Sequence, residues 1–192
     1  MPLKRTGPPN APTLIIPGWG TDAALFSVAQ WSSEYQAVER LYDTIIPDLS
    51  DWLAQQKDPV RLIGFSLGGF IAIEAAKAHP DRVSELILIG VMPQYEVQAI
   101  TQITTFLNSS PDAYMAQFYK ACTTTEDEWI TLQNEWKGAT EIAYSAQELI
   151  QTLSFLETLT IQSEDLDRFE NVTLIHGRHD VIAPIESARQ LW

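Results

Sequence analysis

One serine in this sequence stands where a serine can become a nucleophile. Ser66 lies in Gly64-Phe65-Ser66-Leu67-Gly68. The residues before it, Val60 to Phe65, read as a short buried strand. Those after it, Leu67 to His79, read as a helix that Pro80 stops. A serine on so sharp a strand-to-helix turn is held in a strained conformation with its Oγ pointing out above the sheet. Strand and helix backbones pass close together there, so the residues two before and two after must be small. Gly64 and Gly68 meet that requirement, and Gly69 eases the packing further. The helix N-terminus adds partial positive charge where an oxyanion develops. The pattern alone is weak, since chance gives about 0.06 matches in a chain of this length. Its position between a strand and a helix makes it informative.

The rest of the chain supplies the elements that must hold this turn. Thr13 to Ile16 reads as a buried strand ended by Pro17-Gly18. Asp22 to Gln30 reads as a helix, with Asp22 as its N-terminal carboxylate or cap. Tyr35 to Pro47 has room for a second short strand, with Thr44-Ile45-Ile46 as one candidate. Leu49 to Gln56 is expected as a helix between Pro47 and Pro59. The helix after Ser66 presents Ile71, Ala75 and Ala78 on one face. Leu86 to Ile89 is a third buried strand, so strand, helix and strand form a βαβ unit with a parallel sheet. From Pro93 to about Asp167 the pattern is helical, near Val97–Leu107, Pro111–Ala121, Glu126–Trp136 and Glu141–Leu156. Val172 to Ile175 returns to strand, and Pro184 opens a last helix. The layout is an α/β sheet interrupted by a helical insertion, with no internal repeat.

Composition excludes several classes. The 192 residues carry a formal net charge of −13 and no dense Lys/Arg cluster, which argues against nucleic acid and anionic membrane as partners. No apolar run reaches the length of a membrane-spanning helix. The one cysteine, Cys122, allows no intrachain disulfide and is expected as a small buried or half-buried residue in a helix. No Cys/His spacing fits a metal site, and no cofactor motif is present. A reduced, cytoplasmic protein is the expectation.

The elbow, together with four further segments, resembles the α/β-hydrolase superfamily. Pro17-Gly18-Trp19-Gly20 follows the early strand, where that family has its oxyanion loop. Ala78-His79-Pro80-Asp81-Arg82-Val83 resembles the end of the family's nucleophile helix. The helical stretch lies where the family has its lid. His176-Gly177-Arg178-His179-Asp180 followed by Pro184 resembles the turn that carries the triad acid. The resemblance implies an α/β-hydrolase core over residues 1–92 and 168–192, with a lid over 93–167. It implies Ser66 as nucleophile, Asp180 as acid, and the backbone N–H groups of Trp19 and Leu67 as oxyanion donors. The family order is Ser, then Asp or Glu, then His. The histidine is expected a few tens of residues beyond Asp180, after one more strand. Residue 192 comes before that point, so the final strand and its histidine loop are expected to be absent. His79, His176 and His179 are not expected to replace the base.

Within the superfamily, Gly18-Trp19-Gly20, the elbow and a four-helix lid are most similar to the pimeloyl-acyl-carrier-protein methyl ester esterases of biotin synthesis. That implies hydrolysis of a carboxylic ester through an acyl-serine. The substrate is expected to be a small molecule or an acyl group on a carrier. Trp129, Trp136, Phe106, Phe118, Tyr114, Tyr119, Tyr144 and Phe155 are expected as core between the helices, with some lining an apolar acyl pocket. Charge weighs against the carrier. Between Pro93 and Asp167 the only basic residues are Lys120 and Lys137, among many acids, and carrier proteins are acidic. Two other readings stand beside the esterase: a non-catalytic hydrolase-fold binding protein, and an acyltransferase with the same triad.

Overall fold

The computed structural model describes residues 12–27, 35–141 and 144–191. Residues 1–10, expected to be loose, and the far part of the helix expected from Asp22 to Gln30 lie outside the described residues. One parallel sheet has the order β2-β1-β3-β4-β5, with β1 Thr13–Ile16, β2 Tyr35–Ala37, β3 Val60–Phe65, β4 Val83–Ile89 and β5 Val172–Ile175. The helices are α1 Ala24–Ser27, α2 Ile45–Gln55, α3 Leu67–Ala76, α4 Val97–Ser109, α5 Pro111–Ala121, α6 Glu126–Glu135, α7 Ala146–Leu153, α8 Phe155–Thr158, α9 Ser163–Leu166 and α10 Ile185–Ala188.

The strands are apolar runs because a parallel sheet has both faces covered. Their alternation divides two cores. Leu14, Ile16, Leu62, Leu86 and Leu88 join the large core, with Ile45, Leu49 and Leu53 of α2 and most of α3. Ile15 and Ile63 point to the other face, where Phe26 of α1 covers them beside the half-buried Phe65, Ile87 and Ile89. The edge strand β5 is half-buried along its whole length.

Four expectations change. Thr44-Ile45-Ile46 is not a strand: Thr44 precedes α2, and the second strand is Tyr35–Ala37. Pro47 is tolerated because it falls in the first turn, where its missing N–H costs no hydrogen bond. Ile45, Leu49 and Leu53, four apart, then give the helix one buried stripe. The helix after Ser66 does not bury a single face. Every α3 residue except Glu74 is buried, and Ala78 is exposed beyond its end. The stretch from Glu141 to Leu156 is not one helix: α7 starts at Ala146, where Ser145 and Glu148 form a reciprocal cap, and α8 follows separately. Cys122 is exposed just past the end of α5, not buried within a helix.

The turn between β3 and α3 has no room for side chains at its glycines. A Cβ on Gly64 would lie 2.5 Å from the Gly69 Cα, and one on Gly68 would collide with the carbonyl oxygens of Ile16 and Pro17. The start of α3 is therefore pressed against the end of β1. At the opposite end of the sheet, Arg61 and Glu85 sit side by side on β3 and β4, both 4% exposed, with Arg61 Nε 2.6 Å from Glu85 Oε2. Arg61 Nη1 donates to Thr13 Oγ1 on β1 at 3.3 Å.

Gly68→Ala is expected to cost about 3 kcal/mol, because its neighbours are backbone atoms that cannot rotate away. Gly177→Ala, where a Cβ would have ordinary contacts of 3.6 Å or more, should change the melting temperature little. Equal shifts in the two melting curves would contradict this. Glu85→Ala is expected to cost about 3–5 kcal/mol by leaving a buried guanidinium unpaired. The double variant Arg61→Met with Glu85→Leu should recover much of that loss in chemical denaturation.

Candidate active site

The loops that leave the C-terminal ends of β1, β3, β4 and β5 meet at one edge of the sheet, where open parallel sheets carry their chemistry. Ser66 leaves β3 with φ 51° and ψ −120°, and among the described residues it is the one non-glycine with positive φ. Its N–H donates to the Ile89 carbonyl at 2.8 Å and its carbonyl accepts from Gly69 N at 2.8 Å, so both ends of the strained residue are held. Such a conformation costs of order 1–3 kcal/mol and persists only where the surroundings fix it. Leu67, fully buried, is the first residue of α3, so its N–H has no carbonyl to bond within the helix.

The β1 loop lies against this turn through the contact of Gly68 with Ile16 and Pro17. Trp19 is 5% exposed, and its Nε1 donates to the Leu149 carbonyl at 2.8 Å. Its ring meets Phe118 edge-on at 5.2 Å and Tyr114 at 6.5 Å. Thr21 Oγ1 donates to the Gly18 carbonyl at 2.9 Å, and Tyr119 Oη donates to the Gly20 carbonyl at 2.5 Å. Tyr144 Oη donates to the Thr21 carbonyl at 2.7 Å, and Trp136 Nε1 donates to Asp22 Oδ1 at 2.9 Å. Aromatic side chains from the helical stretch thus tie down four consecutive residues of this loop. Burial holds the Tyr119 and Tyr144 hydroxyls far above their ordinary pKa, so both remain donors. Tyr119, Trp136 and Tyr144 are core, as expected from the sequence, but Phe106 is 55% exposed.

Asp180 follows β5. Its Oδ1 accepts from Ile182 N at 2.9 Å and Ala183 N at 2.8 Å. Its Oδ2 faces Gly90, at 3.6 Å from where a Cβ would stand, an ordinary contact, and it is the φ of 64° that favours glycine at the end of β4. His176 is near: its Nε2 is 3.9 Å from Asp180 Oδ2. That nitrogen is already used, since it donates to the Ala183 carbonyl at 2.5 Å, and the side chain is buried. His179 is exposed. His79 lies beyond the far end of α3, about 15 Å from its start at 1.5 Å per residue. No hydrogen bond joins any of these histidines to Ser66 among the described residues.

The structure thus brings Ser66, Leu67 and the Trp19 loop together, with Asp180 on the other side of Ser66 beside β4. It adds one residue that the sequence reading missed. Tyr95, in the loop after β4, has a buried hydroxyl with no hydrogen-bond partner, and the Ser66 hydroxyl neighbours it. The available signal was its place in a loop after a parallel strand, next to a helix start. A hollow of about 590 Å³ lined by Arg40, Tyr42, Glu148 and Thr152 opens near β2, and none of its lining comes from the Ser66 or Asp180 loops. Among the described residues no group of three or more His, Cys, Asp or Glu could hold a metal ion, and no helix is long and apolar enough to cross a membrane.

The comparisons agree with the fold. The family model described as serine aminopeptidase, S33, matches residues 32–192. A pimeloyl-[acyl-carrier protein] methyl ester esterase of Nitrosomonas europaea is 28% identical over 138 residues, 65% of this chain and 54% of that protein. The chain thus spans about half the length of that relative. A protein of the same name from Shewanella woodyi is 26% identical over 199 residues, 89% of this chain and 76% of the relative. The fold superposes on an esterase from Exiguobacterium antarcticum with TM-score 0.75 at 19% identity, covering 94% of this chain and 78% of the other. It superposes equally, at TM-score 0.75 and 15% identity, on an enol-lactonase from Burkholderia xenovorans, covering 95% and 78%. With its parallel sheet, its strained serine turn and a family model spanning most of its length, this chain belongs to the serine aminopeptidase S33 family of α/β hydrolases.

Proposed function

We propose that the chain is a serine hydrolase of carboxylic esters that acts through an acyl-serine at Ser66. The observation that carries this reading is the Ser66 backbone, held at positive φ on the turn from β3 into α3 with the Trp19 loop alongside. An ester carbonyl above Ser66 would place its oxygen between the N–H groups of Leu67 and Trp19, two fixed donors at the positive end of α3. Asp180 is the acid: two backbone N–H groups hold Oδ1, and Oδ2 is left to orient a base. Residues 93–167 serve as the lid. The ring contacts from Trp19 through Phe118 and Tyr114 to the exposed Phe106 offer an apolar track for an acyl chain.

The relatives' name points to a methyl ester on an acyl carrier protein. Against a carrier docking on the helical stretch, Lys120 is already paired with Glu126 at 3.1 Å, and Lys137 is the one other base between Pro93 and Asp167. A small free ester fits this acidic surface better.

The test is covalent labelling of Ser66 with a fluorophosphonate, read by mass spectrometry, beside hydrolysis of a p-nitrophenyl ester. Ser66→Ala is expected to abolish the label and reduce turnover to background. Unchanged turnover in that variant would remove Ser66 from the reaction. Ser66→Gly should be inactive yet more stable by about 1 kcal/mol, because glycine adopts φ 51° without strain. A lower melting temperature for that variant would show that the turn stores no strain.

A further inference from the structure

Among the described residues, three buried side-chain polar atoms have no hydrogen-bond partner: Arg61 Nη2, Ser84 Oγ and Tyr95 Oη. Arg61 and Ser84 are the second residues of β3 and β4, at the end of the sheet away from Ser66. Tyr95 alone is at the reactive edge. Its ring packs on Phe70 of α3 at 6.0 Å between centroids, and the Ser66 side chain is close enough to act on its hydroxyl. A buried donor left unpaired costs about 1–3 kcal/mol, so a phenol in this place has a use that offsets the cost. Burial, and the negative charge of Asp180, raise the phenol above its ordinary pKa, against an opposing effect of Ser66. It is therefore a neutral O–H at neutral pH: a donor, and no base.

Sheet order decides which substrate atom this donor meets. The neighbours of β3 are β1 on one side and β4 on the other. The Trp19 loop leaves β1, whereas Tyr95 leaves β4. In a tetrahedral adduct on Ser66, the former carbonyl oxygen turns to the β1 side and the Leu67 and Trp19 N–H groups. The side facing Tyr95 and Asp180 then receives the alkoxy oxygen. We propose that Tyr95 is a catalytic residue whose hydroxyl donates a hydrogen bond to the alkoxy oxygen of the ester as its bond to the carbonyl carbon breaks. This rests on the reading of Ser66 as nucleophile. An ester alkoxy oxygen is a poor acceptor in the substrate and a strong one as negative charge collects on it, so the bond favours the transition state over the ground state. The phenol keeps its proton. The Ser66 Oγ–carbon bond forms, the carbon–alkoxy bond breaks, and the leaving alcohol carries away the proton that Ser66 released. The specificity this gives is for esters of ordinary alcohols, whose oxygen needs such help, over esters of phenols.

The test is Tyr95→Phe, which keeps the ring on Phe70 and removes only an unpartnered hydroxyl. Two esters of the same acid are compared, one of trifluoroethanol and one of p-nitrophenol, with Ser66 acylation followed by mass spectrometry under single-turnover conditions. The variant is expected to acylate about 10²-fold more slowly with the trifluoroethyl ester but less than about threefold more slowly with the p-nitrophenyl ester, whose anion leaves unaided. Fluorophosphonate labelling of Ser66 should be unchanged, and so should the melting temperature, within about 2 °C. Equal losses with both esters, no loss with either, or lost fluorophosphonate labelling would overturn the assignment. A Ser66→Ala protein that still turns over both esters would instead overturn the nucleophile on which it rests.

Discussion

The close approach of two backbones sets the architecture of this molecule. The carbonyls of Ile16 and Pro17, at the end of β1, fill the space that a side chain on residue 68 would need, and Gly69 occupies the space beside Gly64. With no Cβ at either glycine, α3 can begin directly over the end of β3. The chain can make that turn in so few residues only if Ser66 takes a positive φ. One steric constraint therefore has three results. It exposes a hydroxyl above the sheet, opens the first N–H of α3, and brings the β1 loop to that N–H. Chemistry at this edge follows from packing before any charged group is involved.

The second requirement is that the β1 loop stay still. A loop of glycines and a buried indole has carbonyls that no strand or helix satisfies, and buried carbonyls need partners. The helical stretch provides them from aromatic side chains. Tyr119 and Tyr144 bond the Gly20 and Thr21 carbonyls, Trp136 bonds Asp22, and Trp19 returns the bond to Leu149. Each side chain buries an apolar ring and spends its one polar atom on the loop. The helices over the sheet are thus mechanically continuous with the loop that carries Trp19, and a movement of α5 or α7 would reach that loop directly.

What could be read in the sequence follows from how local each signal is. The elbow was legible because its physics is complete within five residues, and β3, β5 and α5 because apolar runs and Pro111 mark them sharply. Thr44-Ile45-Ile46 misled because β-branched residues favour strands by themselves, while the stripe of Ile45, Leu49 and Leu53 that makes them helical extends past Pro47. Helix α3 misled in another way. Its neighbours bury it all round, and a pattern with no polar face has no direction to read. Ser66 and Asp180 come from turns with recognisable sequences. Tyr95 has no such turn, and its significance comes from an unpaired hydroxyl that only the packed structure shows.

The groups gathered at this edge also explain one another electrostatically. In the proposed reaction Ser66 works beside neutral donors: the backbone N–H groups of Leu67 and Trp19 on the β1 side and a phenol that burial keeps protonated on the β4 side. The Asp180 carboxylate brings a formal charge to this edge, and two N–H groups hold one of its oxygens. A developing oxyanion and a carboxylate repel each other, and burial strengthens that repulsion. The neutral donors offset the charge on the substrate but do nothing for Asp180. A proton carrier between Asp180 Oδ2 and Ser66 would cancel the repulsion by becoming positive when the oxyanion forms. His176 cannot do this from its present place, because its Nε2 is committed to Ala183. In the proposed reaction Asp180 would serve a cation that appears only while the oxyanion exists, and Tyr95, which stays neutral throughout, is suited to the opposite task of assisting the group that leaves.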